Sequence, residues 1–239
     1  MSDACTQDAS TTVVYTGTRR PSFSDPTLRI HHLPMLEVAA VDFDRKKVKI
    51  LVRQPCTLVF YSTNSVKVVA DSGVLDDIDL RHHTAWAVGE KTAATVRERL
   101  GIDASVPDDE RFDGLVATFR QSPPSSPIIA FALKESPRDL ARRLGRTDVH
   151  EVPVYHTCAK LYPRLRDELA EVDADWIAFT SPRGVRTFLS QASHVDLDAY
   201  KFAAIGPTTG DAMNEAGIEP ALVMETPDKD LMMQKILQL

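Results

Sequence analysis

The chain has 239 residues, 43% hydrophobic and 26% charged, with a formal net charge of −6. These values fit a folded globular protein of one large domain or two small ones and exclude wholesale disorder. An acidic chain with no basic block is a poor nucleic-acid binder, and its apolar runs fall far short of a membrane span. Cys5, Cys56 and Cys158 form no CxxC pair. They argue against a zinc site or a disulfide framework and for a reducing, cytoplasmic setting. The first dozen residues are polar and acidic, without the basic-then-apolar order of a secretory leader.

Along the chain, one plan occurs twice. Short apolar strands open each copy at 12–15 and 128–131. A helix or turn follows, read at 137–144 in the second copy. Extended segments surround Pro34 (33–41) and Pro153 (149–157), because the residue before proline disfavours helix. Each copy then runs through a buried strand ending in serine, a helix, a strand ending in glycine, a helix, a third strand and a last helix. Phe60-Tyr61-Ser62 parallels Phe179-Thr180-Ser181, and Ala87-Val88-Gly89 parallels Ala204-Ile205-Gly206. Pro34 and Pro153, Ser62 and Ser181, and Val66 and Val185 are each 119 positions apart, whereas Gly89 and Gly206 are 117 apart. Helices are expected at 91–100 and 208–216, each stopped by a glycine, and at 162–172, where Leu165, Leu169 and Val172 form one stripe. Buried strands alternating with helices predict parallel sheets covered on both faces. The residues alone leave open whether the two copies are successive or interlocked.

In such sheets ligands bind at the carboxyl ends of strands, beside helix N-termini. Those positions hold Thr16 and Arg19, Ser62 and Thr63, Lys91 and Thr92, Thr180 and Ser181, and Gly206, Thr208 and Thr209. Each hydroxyl has a plain structural use as a helix cap. Together with free backbone N–H groups they also suit anions. There is no Walker loop, GxGxxG or GxSxG. The adjacent pairs His31-His32 and His82-His83 point opposite ways on extended backbone, so no metal site is expected. Tyr155, in the extended segment between the two large parts, is either core filler or a donor in a cleft.

Val14-Tyr15-Thr16-Gly17-Thr18-Arg19-Arg20-Pro21, Pro153-Val154-Tyr155-His156-Thr157, Ile177-Ala178-Phe179-Thr180-Ser181-Pro182 and Lys201-Phe202-Ala203-Ala204-Ile205-Gly206-Pro207-Thr208-Thr209 together resemble the uroporphyrinogen-III synthase family. At Ser62 the chain departs from it, with Thr63-Asn64 where the family often has Ser-Pro. The resemblance implies two doubly wound parallel-sheet α/β domains with an interlocked internal repeat. One would take residues 1–33 and 159–239 and the other 39–150, joined by linker strands at 34–38 and 151–158. It implies a cyclase that closes hydroxymethylbilane, a linear tetrapyrrole with eight carboxylates, inverting the last ring and losing water, with no cofactor. Tyr155 would then help the hydroxyl leave, and Ser62, Thr92, Ser181, Thr208 and Thr209 would line the cleft, with Arg19, Lys91 and Arg183 shaping its field. A monomer is expected. The competing reading is a non-catalytic two-domain module for a small anionic metabolite.

Overall fold

The computed structural model describes residues 10–239. The chain opens with β1 (Thr11–Tyr15), β2 (Leu28–His32) and β3 (Leu36–Ala40), then α1 (Arg45–Leu51), β4 (Thr57–Phe60), α2 (Thr63–Asp71), β5 (Thr84–Ala87) and α3 (Glu90–Leu100). Next come α4 (Phe112–Gln121), β6 (Ile128–Leu133), α5 (Leu140–Leu144) and β7 (Val149–Ala159). The rest is α6 (Leu165–Val172), β8 (Trp176–Phe179), α7 (Pro182–Leu189), β9 (Lys201–Ala204), α8 (Pro207–Glu215), β10 (Leu222–Val223) and α9 (Lys229–Ile236).

The strands assemble into two five-stranded sheets, in the orders β10-β9-β8-β1-β2 and β3-β7-β6-β4-β5. The pairs β1–β2, β1–β8, β8–β9, β9–β10, β4–β5, β4–β6 and β6–β7 are all parallel. The two sheets fall in separate compact units, one running to Glu37 and resuming at Cys158–Leu239, the other spanning Val38–Thr157. β1 is therefore stitched to β8, with Val14 opposite Ile177, although more than 160 residues separate them in sequence. β6 likewise pairs with β4. The first strand of each sequence copy thus lies in a sheet with strands of the other copy, as an interlocked repeat requires.

Alternation along the strands explains why both faces of each sheet are covered. In the first unit Val14, Ile177, Phe179 and Phe202 face one core, and Val13, Trp176 and Ala203 face the other. In the second unit Leu58, Phe60, Ile129 and Phe131 meet α2 and α3 residues, while Val59, Ile128 and Ala130 meet Leu115, Val116 and Phe119 of α4.

Some elements differ from the sequence expectation. The helix expected from residue 162 begins at Leu165. Tyr162 is held elsewhere: its N–H donates to Gln191 Oε1 at 2.7 Å and its hydroxyl to Pro34 O at 3.0 Å. The third strand of the first copy is reduced to a single bridge between Trp86 and Ser105. β7 carries a bulge: Ala132 is opposite Pro153, but Leu133 is opposite Tyr155. Pro153 has no N–H for the ladder, and the extra residue places consecutive side chains on one face. Val154 and Tyr155 accordingly both enter the same core.

Candidate functional site

In the second unit, β4 and β5 end side by side, with Phe60 opposite Ala87, and their loops start α2 and α3. Ser62 caps α2. Its Oγ accepts from Ser65 N–H at 3.2 Å, and Ser65 Oγ donates back to Ser62 O at 2.7 Å. The bulge in β7 delivers Tyr155 to this cap, where its hydroxyl lies 2.9 Å from Ser62 Oγ. Tyr155 is 7% exposed and packs in the core, with its hydroxyl on the cap. Ser62 Oγ already accepts from an amide. When it gives its own proton to Tyr155, the phenol proton is free to point outward, and cap and tyrosine act as one donor pair. Thr63 is buried beside them.

The α3 terminus is built differently. Gly89 is the cap and offers no side chain, Lys91 is exposed, and Thr92 is buried with its N–H donated to Gly89 O at 2.9 Å. The first amide, Glu90 N–H, donates to Glu110 Oε2 at 2.9 Å. A side-chain carboxylate therefore sits where the helix dipole favours an anion.

In the first unit, the ends of β1, β8 and β9 are adjacent and bring Thr16, Thr180, Ser181, Gly206, Thr208 and Thr209 to one sheet edge. Ser181 repeats the Ser62 arrangement, accepting from Gly184 N–H at 3.1 Å to cap α7. Gly206 caps α8 without a side chain, and Pro207 follows it. Thr209 is buried and its N–H donates to Gly206 O at 3.1 Å, whereas Thr208 is exposed. Thr16 differs from these. Its N–H and Oγ1 both donate to Ala178 O, at 3.0 and 2.8 Å, so its hydroxyl proton is committed to the sheet and leaves it only acceptor capacity. Arg19 is exposed in the loop after β1. That loop is held by α9: Asp230 Oδ1 accepts from Ser22 and Phe23 N–H at 2.5 and 2.8 Å, and Lys229 donates to Arg20 O at 2.5 Å. Burial, reinforced by the Asp230 charge, pushes the Tyr15 phenol up to about 12.

The structure therefore groups Ser62, Thr63, Lys91, Thr92 and Tyr155 at one sheet edge, and Thr16, Arg19, Thr180, Ser181, Gly206, Thr208 and Thr209 at the other. Among the described residues no three His, Cys, Asp or Glu side chains gather as a metal would need. The histidine pairs diverge: His32 Nε2 lies 2.7 Å from Gly17 O, and His83 Nδ1 lies 3.1 Å from Cys56 Sγ. Cys5 lies outside the described residues. No helix is long and apolar enough to cross a membrane among them.

The family model of uroporphyrinogen-III synthase HemD matches residues 23–234. The chain belongs to the uroporphyrinogen-III synthase family. A uroporphyrinogen-III synthase of Schizosaccharomyces pombe is 26% identical over 160 residues, a match covering 64% of this chain and 61% of that protein's length. The crystal structure of uroporphyrinogen-III synthetase from Helicobacter pylori superposes with a TM-score of 0.65 at 19% identity, covering 95% of this chain and 99% of that one. A mutant uroporphyrinogen III synthase from Thermus thermophilus gives a TM-score of 0.50 at 20% identity, covering 96% and 98%. At such identity the structural likeness speaks to the fold: a mixed α/β protein with two predominantly parallel sheets. Within this family member, Glu110 and Asp230 are the groups sequence reasoning missed. Each acts on a backbone far away in sequence, so no local motif marks it.

Proposed function

We propose that the protein cyclises hydroxymethylbilane to uroporphyrinogen III, as a monomeric cytoplasmic enzyme without a cofactor. Membership of the family supports the substrate and reaction. The observation that carries the catalytic assignment is the contact between Tyr155 and Ser62. In this reading the phenol protonates the departing hydroxyl of the bilane, which leaves as water, while the Ser62 hydroxyl donates a hydrogen bond to the phenolate left behind, and the phenolate regains its proton from the one released at ring closure. The resulting azafulvene is attacked by the last pyrrole ring. Ring inversion then passes through a spiro intermediate, and loss of a proton restores aromaticity at closure. Positioning matters as much as acid catalysis, because spontaneous closure proceeds without inversion. The helix N-termini beside Ser181, Thr208 and Thr209 suit acidic side chains of the substrate, whereas at α3, where Glu110 already holds the first amide, Lys91 and Thr92 are left for that role.

Incubation of the pure protein with freshly prepared hydroxymethylbilane, with separation of the uroporphyrinogen isomers, tests the activity. Isomer III above the spontaneous background is expected, and isomer I alone overturns the reading. Tyr155→Phe keeps the ring in the core and deletes the donor. It is expected to melt close to the wild type and to lose about 100-fold or more in cyclisation rate, with the product shifting toward isomer I. A fully active Tyr155→Phe enzyme would leave positioning by the loops as the source of catalysis. Size-exclusion chromatography with light scattering tests the monomer.

A further inference from the structure

The carboxyl edge of the second sheet opens into a cavity of about 600 Å³, on the face covered by α4 and α5 rather than by α2 and α3. That volume lies within the range of small-molecule sites. Its floor is aromatic: Phe112 meets the Tyr61 ring edge-on, with centroids 5.5 Å apart and planes at 88°. Two guanidinium groups lie over the Phe112 ring, Arg138 at 5.5 Å and Arg143 at 5.6 Å.

The charges of this cavity are not all paired directly with one another. Arg143 pairs with Asp113 at 2.6 Å, and Arg111 pairs with Asp109 at 2.7 Å. Glu110 is taken by the amide that starts α3. Tyr61 is also committed, since its hydroxyl donates to Glu151 Oε1 at 2.9 Å. Arg138 has no carboxylate within ion-pair distance among the described residues. An arginine stacked on an aromatic face has lost part of its rotamer freedom while its N–H fork stays open to a planar anion.

We propose that this cavity is a binding site for a carboxylate carried on a flat, largely apolar ring, with Arg138, held on Phe112, as the two-pronged anchor and Tyr61 and Val88 of the cavity lining as the wall for the ring. The proposal deepens the proposed function: there the ligand is one acidic pyrrole ring of the linear tetrapyrrole. Arg138 would bind that ring's side chain and take no part in the proton transfers at Tyr155.

The probe is a monopyrrole bearing acetic and propionic side chains, titrated into the full-length protein and followed by the aromatic NMR signals of Phe112 and Tyr61. Its diester is the control. Saturable shifts with the diacid, and none with the diester, are expected. Arg138→Met should weaken binding by about tenfold or more, since a charge-assisted pair is lost. Arg138→Lys, which keeps the charge but not the fork, should fall between. Arg138 is exposed, so both variants should melt near the wild type, and the lysine variant still reads the site if the methionine variant does not fold. The proposal is overturned if the wild type shows no saturable shifts, if the diester binds equally, or if neither substitution changes the affinity. With hydroxymethylbilane, Arg138→Met should raise KM about tenfold with a smaller change in kcat. A wild type that fails to cyclise the bilane but binds the diacid through Arg138 sinks the proposed function and leaves this site standing.

Discussion

Burial keeps the Cys56 thiol protonated, pushing it up to about 12, and its neighbour is shifted in the complementary sense. His83 is lowered from its usual value, mainly by burial and then by the nearby His82, with Asp79 opposing. Its Nδ1 accepts from Cys56 N–H at 3.3 Å, which the neutral ring can do and the imidazolium cannot. The pH dependence follows from proton counts. Below about pH 6.5 the unfolded chain protonates this histidine while the folded chain resists. The unfolded state then binds more protons, so stability is present above that pH and is lost as pH falls through the lowered folded value. Thermal melts from pH 7.5 down to pH 5 are expected to fall, and His83→Gln should flatten part of that fall; an unchanged slope would remove His83 from the acid sensitivity. The thiol obeys the opposite sign, its contribution being present below about pH 9 and lost as pH rises toward 12. Alkylation at neutral pH with peptide mapping should modify Cys158, which is only half-buried, and spare the buried Cys56.

At the scale of single elements, α4 is held by one very close backbone approach. A Cβ placed on Gly114 would fall 2.0 Å from the Asp109 carbonyl oxygen, a backbone atom that no rotamer change can move. Replacing a helical glycine by alanine ordinarily gains about 1 kcal/mol. Here the clash must shift either the loop before α4 or the helix that carries Leu115, Val116 and Phe119 onto the sheet. Gly114→Ala is therefore expected to destabilise by about 1–3 kcal/mol, read as a lower urea midpoint, and a raised midpoint would show that the loop yields freely. The same distinction between local and distant causes decides what the sequence reveals. The runs at 58–60, Ile128–Leu133 and Trp176–Phe179 are apolar throughout because both faces are covered, and such runs are visible without a structure. β2 is an edge strand whose half-buried residues alternate with polar ones, so its signal is only Leu28 and Ile30. The capping hydroxyls of Ser62 and Ser181 are legible because a cap bonds three residues away. The Ser62–Tyr155 contact spans 93 residues and depends on a bulge that no residue pattern announces. Thr16, legible as a loop hydroxyl, turns out to have spent its proton on the neighbouring strand.

The largest consequence of the topology concerns which pieces of the chain can fold alone. The second unit is continuous, Val38–Thr157, and holds β4, β5 and β6 together with the helices on both faces. The first unit is not continuous: β1, fourth of five strands in its sheet, arrives from the other end of the chain. Residues 158–239 alone would keep β8, β9 and β10 but lose Val13, Val14, Tyr15, Leu33 and Met35, all buried, and would turn the β8 edge to solvent. Full burial of a valine- to methionine-sized side chain is worth about 1.5–3 kcal/mol each. The loss therefore rivals the 5–15 kcal/mol total stability of an ordinary domain. A fragment of residues 38–157 is expected to unfold cooperatively in urea. One of residues 158–239 should show no cooperative transition and should bind a hydrophobic dye. Adding a peptide of residues 10–37 in trans should restore a transition whose midpoint rises with peptide concentration, because β1 and β2 bind only the folded partner. Cooperative folding of residues 158–239 without that peptide would mean that β1 is dispensable to its own sheet, and the interlocking would then be a feature of connectivity without energetic weight.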